Sequence, residues 1–308
     1  MTPNRIIIGS RASTLALVQA EEVISALRLH HPSLEIDQRK ITTKGDTITH
    51  IPLSRIGDRG LFVKELEREL LEGTIDIAVH SMKDLPSGLP PGLAIGAVPR
   101  REDPLDCLVS LKYGSFQELP RGATLGSGSL RRKAQLLAYR PDLQFIDMRG
   151  NVPTRIEKMS RMGLDGIILA AAGLRRLAVT GAGIIPLPSS LCIPAVGQGA
   201  LALEIRDDDK TVEALLAPLN DRESWGAVKA ERAFMAAIGG GCHIPSGCLA
   251  EPRGGELFAE AFVAASDGSR LLRESLGGSA ETPEELGNAL ALRLIERGAH
   301  ALIGGLNT

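Results

Sequence analysis

The sequence predicts an α/β protein whose C-terminal end is a small α+β domain, and three observations carry that prediction. Aromatic residues are only 3% of a chain that is 44% hydrophobic. Its cores are therefore built from Leu, Ile, Val and Ala, which suits helix–sheet layers better than an aromatic-rich β-sandwich. Over the first two-thirds, short apolar segments alternate with amphipathic helical ones, the mark of a parallel or mixed sheet flanked by helices. The last third changes character: Leu257–Ala265 and Arg270–Leu276 flank Asp267-Gly268, a hairpin signal.

The elements follow in order. Arg5–Gly9 reads as a buried strand, and Ser13 caps a helix to about His30 with Leu17, Ala20, Ile24 and Leu27 on one face. Leu34–Thr42 is a second strand. Residues 43–60 show no period and carry Gly45, Gly57 and Gly60 beside Lys44, Arg55 and Arg59; such a basic loop is either disordered or a lid. A helix (Leu61–Glu72, closed by Gly73) and strands Ile75–Ser81 and Leu93–Val98 come next. Pro99-Arg-Arg-Glu-Asp-Pro104 interrupts the pattern as a hinge.

A second unit then runs from Leu105 to Ile193: a first strand, strand Thr124–Gly126, a helix from Ser129, strand Gln144–Met148, helix Val152–Met162, strand Gly166–Ala170 and a short helix. Pro194–Gly199 crosses back and Ala200–Ile205 is again a strand, so the first domain is discontinuous. Asp221–Ile238 is a helix ending in Gly239-Gly-Gly-Cys242. Thr282-Pro-Glu-Glu285 is a capping box that opens a last helix, closed by Gly298. The expected domains are 1–99 with 200–217, 105–193, and 222–308. Ligand-gripping two-domain binding folds share this layout, with the site in the cleft.

Composition excludes several classes. A formal net charge of −2 argues against a nucleic-acid binder working through a global basic field. No apolar run approaches the roughly 20 residues of a membrane span. Met1–Asn4 leads directly into Arg5–Gly9, too short for a signal peptide's apolar region. Cys107, Cys192, Cys242 and Cys248 lack CxxC spacing and the histidines are scattered, so neither a metal site nor a disulfide framework is expected. A cytoplasmic, reduced protein is the expectation.

The arginines break a local rule. They number 26 against 9 lysines, and their placement matters more than their number. Helix N-termini carry partial positive charge, so arginine there costs roughly 0.3–1 kcal/mol. Yet Arg11 follows the first strand, and Arg131 and Arg132 follow Gly126-Ser-Gly-Ser. Arg149 with Arg155, and Arg175 with Arg176, sit at two further corners. Solvated surface arginines would explain any one corner, but hardly four. Bound anions compensate such corners, which already offer free backbone N–H groups. No GxxxxGK[ST] phosphate loop occurs. Arginines spread over two domains fit a ligand with several separated carboxylates, each held by bidentate pairs.

Val79-His-Ser-Met-Lys-Asp-Leu-Pro86 ends a buried strand and places Lys83 and Asp84 at the sheet's edge. Either they are a surface pair before a turn, or Asp84 is the acid of an arginine-rich cleft, able to stabilise a cation or move a proton. His80 alternates inward as a core histidine. Cys107 and Cys192 lie among apolar neighbours, whereas three glycines make Cys242 approachable; a Cys242–His243 dyad has no geometric support.

Together these segments resemble the porphobilinogen deaminase (hydroxymethylbilane synthase) family. The resemblance rests on Gly9-Ser-Arg11, Val79–Pro86, Gly126–Arg132, Met148–Asn151, Ala171–Arg176, Val196–Gly199, and Glu231-Arg-Ala-Phe with Gly240-Gly-Cys242-His-Ile-Pro245. It implies two domains like type II periplasmic binding proteins, the first discontinuous, plus a third. It implies a covalent dipyrromethane cofactor on Cys242 and a cytoplasmic monomer that joins four porphobilinogens head to tail, releasing ammonia. By matching position, Asp84 would stabilise the azafulvene cation. Arg11, Lys83, Arg131, Arg132, Arg149, Arg155 and Arg176 would hold carboxylates, with Lys83, Ser81, Ser129, Arg131 and Arg132 on the cofactor. Ser13, Ser81, Ser129 and Gln198 would add hydrogen bonds, Phe62 would cover the cofactor, and Arg55 and Arg59 stand in the lid where lysine is common. Ser246 and Cys248 depart from the usual pattern beside the cofactor loop. A non-catalytic small-anion-binding module of the periplasmic type is the alternative; a cysteine acyltransferase, lacking a base, comes third.

Overall fold

A computed structural model describes residues 4–43, 45, 62–181, 183–239 and 244–304. In chain order the first elements are β1 (Arg5–Arg11), α1 (Thr14–His30), β2 (Glu35–Ile41), α2 (Lys64–Leu71), β3 (Ile77–Ser81) and β4 (Leu93–Ala97). Then come β5 (Asp106–Ser110), β6 (Thr124–Gly126), α3 (Leu130–Tyr139), β7 (Gln144–Ile146), α4 (Val152–Arg161), β8 (Gly166–Ala170), α5 (Ala171–Arg176) and β9 (Gly183–Leu187). The chain ends with β10 (Leu201–Arg206), α6 (Lys210–Leu216), α7 (Arg222–Ala237), β11 (Ser246–Arg253), β12 (Glu256–Ala264), β13 (Leu271–Ser279), α8 (Pro283–Glu296) and α9 (Ala299–Gly304).

Two compact units result. The first holds the described residues through Glu102 together with Gly199–Trp225; the second holds Asp103–Gln198 and the described residues from Gly226 onward. In the first unit the strand order is β2-β1-β3-β10-β4. β1 runs parallel to β2 and β3, while β10 runs antiparallel to β3 and β4. In the second unit the order is β7-β6-β8-β5-β9, with β6 parallel to β7 and β8 and β5 antiparallel to β8 and β9. Both sheets thus follow one plan. In each, the antiparallel strand is the one that enters directly after a crossing segment: β5 after residues 99–105, β10 after 194–200. This is the discontinuous, type II binding-protein arrangement, and the α/β class is as predicted. The antiparallel β11-β12-β13 sheet with α8 and α9 forms the small α+β part.

Local chemistry explains most boundaries. Ser13 heads α1, its hydroxyl accepting from Ala16 N at 3.4 Å. Ile6, Ile8, Val23, Ile24, Leu27, Val79 and Leu203 bury one face of the first sheet, and Ile41, Leu66, Leu70, Ile75 and Leu93 the other. Each such side chain is worth about 1.5–3 kcal/mol of burial. The predicted capping box at Thr282 does not form. Thr282 makes no side-chain cap bond, and its main-chain oxygen takes Glu285 N at 3.1 Å; only the proline at the helix start holds. The hairpin at Asp267-Gly268 does form, with Gly268 at φ +74° and Asp267 Oδ1 accepting from Ser269 N at 3.0 Å.

Candidate active site

In the first unit the site residues gather at the carboxyl ends of β1 and β3. Arg11, the last residue of β1, lies over the Phe62 ring at 4.2 Å from its centroid, a cation–π contact. Its Nη1 is 3.6 Å from Asp84 Oδ2, both side chains being partly exposed. That distance is an ion pair, too long for a hydrogen bond, so the carboxylate is attracted without being tied down. Asp84 and Lys83 stand on a single 3-10 turn, Met82–Asp84, closed by Leu85 N to Met82 O at 3.2 Å. Met82 is buried beneath it, which fixes the height of the turn.

Two predicted contacts are already occupied. The Ser13 hydroxyl oxygen is the cap of α1. Ser81 exchanges hydrogen bonds with the buried Gln19, receiving from Nε2 at 2.9 Å and facing Oε1 at 3.2 Å. Both serines therefore act first as braces for the β1 and β3 ends. His80 is the core histidine expected from its alternation: its Nε2 meets Glu204 Oε2 at 2.9 Å, fully buried, across the β3–β10 ladder.

In the second unit the basic residues stand at two strand-to-helix corners and at the end of α5. The loop between β6 and α3 approaches the next corner so closely that a Cβ on Gly128 would lie 3.1 Å from Met148 O. The Ser129 hydroxyl, at the head of α3, makes no cap bond. At the β7–α4 corner Gly150 takes φ +120° and Asn151 Oδ1 caps α4 by accepting from Thr154 N at 2.9 Å. This turn carries Arg149 and Arg155. Arg155 donates from Nε to Gly150 O at 2.7 Å, and Lys158 Nζ donates to Arg149 O at 3.1 Å. Burial pushes Arg155 down to about 10, helped by the charges of Arg132 and Arg149, and burial also lowers Arg149. Like charges held together in partial burial are unfavourable unless an anion joins them. Arg175 and Arg176 do not stand at a helix start as the sequence suggested: both lie in the last turn of α5, where the helix dipole favours cations, and Arg176 is half-buried.

Arg131, Arg132 and Gln198 are not the open cationic and polar groups the sequence suggested. All three are buried, and all three bind Asp106. Arg131 Nη1 reaches Asp106 Oδ2 at 2.7 Å and Ile193 O at 2.7 Å. Arg132 gives Nε and Nη2 to Oδ1 at 3.0 and 2.7 Å, and Nη1 to Ile168 O at 2.8 Å. Gln198 Nε2 adds Oδ1 at 3.0 Å and Pro104 O at 2.7 Å. Asp106 is the residue the sequence reading missed. Its signal was a lone acid within Leu105-Asp106-Cys107-Leu108-Val109, which cannot be buried without cations beside it. Cys242, Arg55, Arg59 and most of the 43–60 segment lie outside the described residues. Cys107, Cys192 and Cys248 are buried, and among the described residues no cluster of His, Cys, Asp or Glu is arranged to hold a metal ion.

Residues 6–214 match the family model described as "Porphobilinogen deaminase, dipyromethane cofactor binding domain". Residues 225–296 match "Porphobilinogen deaminase, C-terminal domain". The chain belongs to the porphobilinogen deaminase family. It is 49% identical to the porphobilinogen deaminase of Desulforudis audaxviator over 97% of this chain and 96% of the relative. It is 50% identical to that of Syntrophomonas wolfei, over 96% and 97%, and 50% identical to that of Roseiflexus sp. over 97% and 99%. Within the porphobilinogen deaminase frame, the first match contains Asp84 and all the arginine corners, and the second contains Cys242.

Proposed function

We propose that this chain is a porphobilinogen deaminase of tetrapyrrole biosynthesis. It deaminates four porphobilinogen molecules and joins them head to tail on a dipyrromethane held by a thioether to Cys242, and water then cleaves the bond to that dipyrromethane, freeing the linear tetrapyrrole hydroxymethylbilane. The observation that carries the reading is that the two family matches, residues 6–214 and 225–296, together take in Asp84, the arginines and Cys242; the Arg149–Arg155 corner, where two like charges share one turn, adds to it. Arg155 has a carbonyl as its hydrogen-bond partner, not an acid. A carboxylate-bearing ligand relieves that arrangement.

The residues present fit a group with several carboxylates. Ser129 has an uncommitted hydroxyl. Arg131 and Arg132 retain N–H groups beyond those given to Asp106 and to carbonyls. When bound, the dipyrromethane supplies a nucleophilic pyrrole carbon to which the first substrate unit is joined. Arg149, Arg155 and Arg176 hold acetate and propionate groups, and Lys83 and Arg11 do so from the first unit. Asp84 does the chemistry: its carboxylate stabilises the cation left on the substrate as ammonia departs, and takes up a proton as the new bond forms. Arg11, 3.6 Å away, attracts the Asp84 carboxylate without occupying it. Phe62 lies against the Arg11 guanidinium and would cover the cofactor there. No helix is long and apolar enough to cross a membrane among the described residues, and a cytoplasmic monomer belongs to the same proposal.

Incubation with porphobilinogen tests the reading. Four ammonia molecules should appear for each hydroxymethylbilane. Saturable binding of porphobilinogen with no ammonia released would favour the anion-binding module instead.

A further inference from the structure

Asp106 accepts five hydrogen bonds, and the reaction described above gives it no task. It is fully buried at the start of β5. Its Oδ2 accepts from Arg131 Nη1 at 2.7 Å and from the Cys192 thiol at 3.4 Å. Its Oδ1 accepts from Arg132 Nε at 3.0 Å, Arg132 Nη2 at 2.7 Å and Gln198 Nε2 at 3.0 Å. Isolated burial of a carboxylate is costly, and here three side chains from α3 and the 194–199 segment compensate it.

The arrangement does more than stabilise β5. A guanidinium carries five N–H donors in a rigid plane, so fixing one edge fixes the direction of the other. Arg131 spends Nη1 on Asp106 and on Ile193 O, which leaves Nε–H and the Nη2 pair. Arg132 spends Nε, one Nη2 hydrogen and one Nη1 hydrogen. Gly247 closes the other side, since a Cβ there would lie 3.3 Å from Arg131 Cδ. Gln135, one turn along α3, binds Ile193 N and O, holding the same segment from behind. Arg132 is also near enough to Arg155 for its charge to lower it.

We infer that Asp106 is a positioning residue: an internal carboxylate that occupies one edge of Arg131 and Arg132 and presents their remaining N–H groups to the carboxylates of the cofactor. This rests on the function proposed above, and it adds a residue that touches neither cofactor nor substrate. Without Asp106 the two guanidiniums would turn toward the vacated space, and cofactor capture would fail although every ligand-binding side chain were present.

Chemical rescue tests this. Asp106→Ala removes a group the size of formate and leaves Arg131 and Arg132 facing the gap. Thermal midpoints of Asp106→Ala and wild type are measured in chloride and in formate at equal ionic strength, and intact mass reads the fraction carrying the two-pyrrole adduct. The expected result is an adduct-bearing fraction at least fivefold below wild type in chloride. Formate should raise both the midpoint and that fraction in the variant, while leaving wild type unchanged. Asp106→Asn, which keeps the shape but not the charge, should fold, load poorly and ignore formate. Full loading of either variant in chloride would overturn the inference, and so would a destabilised Asp106→Ala equally indifferent to both anions. If Asp106→Ala does not fold, the loading of Asp106→Asn alone decides. A wild type without any adduct would refute the proposed function, whereas the formate response of the midpoint would still be readable.

Discussion

Asp84 and Arg155 illustrate opposite uses of charge. Asp84 is partly exposed and only loosely attracted by Arg11, so in the proposed reaction its carboxylate is accessible to a developing cation. Asp84→Asn keeps shape and polarity but removes that charge, and should lower turnover by about 10²–10³-fold. Asp84→Glu should retain much more of it, as steady-state ammonia release will show. Arg155 carries its charge at a cost. Its folded value of about 10 lies below the ordinary arginine range because of burial first, and Arg132 and Arg149 second. The sign follows: the penalty is present at every pH below about 10 and fades only as the group loses its proton above it. Arg155→Met should therefore raise the apparent thermal midpoint by roughly 2–4 °C, while weakening substrate capture by tenfold or more. A lower midpoint with unchanged affinity would mean that the side chain is structural. Asp106 runs the other way. Burial alone would push its carboxyl up, but the charges and hydrogen bonds of Arg131 and Arg132 hold it far below the usual range. Its contribution is present above the unfolded carboxylate value, near 4, and is lost as pH falls through the depressed folded value. Urea midpoints measured between pH 5 and 2 should accordingly fall less steeply in Asp106→Asn than in wild type.

Elements with strong periodic or capping signals were legible in the sequence. β1, α1, β3, β6, β8 and β10 have apolar runs or caps that leave one reading, and they appear where expected. β9 and β11 were not foreseen, for a shared reason. Both lie at sheet edges and contain a proline, Pro186 and Pro252, which an edge strand tolerates and a pattern reading discounts. The proposed site was legible at the starts of α3 and α4, because arginines against a helix dipole violate a local preference, but not at Arg175 and Arg176, which close α5. It was not legible inside, because the partners of Arg131, Arg132 and Gln198 come from a residue about 25 or more positions away in the chain. Gly287 is a further element-scale case. It lies within α8, where alanine would gain about 1 kcal/mol in helix propensity. Yet a Cβ there would run into the Ala230 carbonyl and sit 2.8 Å from Phe234 N on α7. Gly287→Ala should therefore destabilise the C-terminal domain by about 2 kcal/mol or more, read as a lower urea midpoint.

For the whole molecule, the decisive feature is that each α/β sheet is completed by a strand arriving from a crossing segment. β10 supplies the partner of both β3 and β4 in the first sheet, so the turn bearing Asp84 depends on chain that follows the second unit. A fragment ending at residue 198 lacks that strand and should fail to give the dispersed NMR spectrum of a folded first sheet. The same connectivity puts Asp84, the arginine corners and Cys242 on one polypeptide, though they lie far apart along it. The proposed function requires all three together: a carboxylate for the cation, guanidiniums for the carboxylates, and a thiol to anchor the growing chain. Intact mass spectrometry of the purified protein tests that requirement most directly. The account predicts a mass above that of the polypeptide by one dipyrromethane, absent from Cys242→Ser; a wild-type protein at its bare polypeptide mass that still converts porphobilinogen would contradict it.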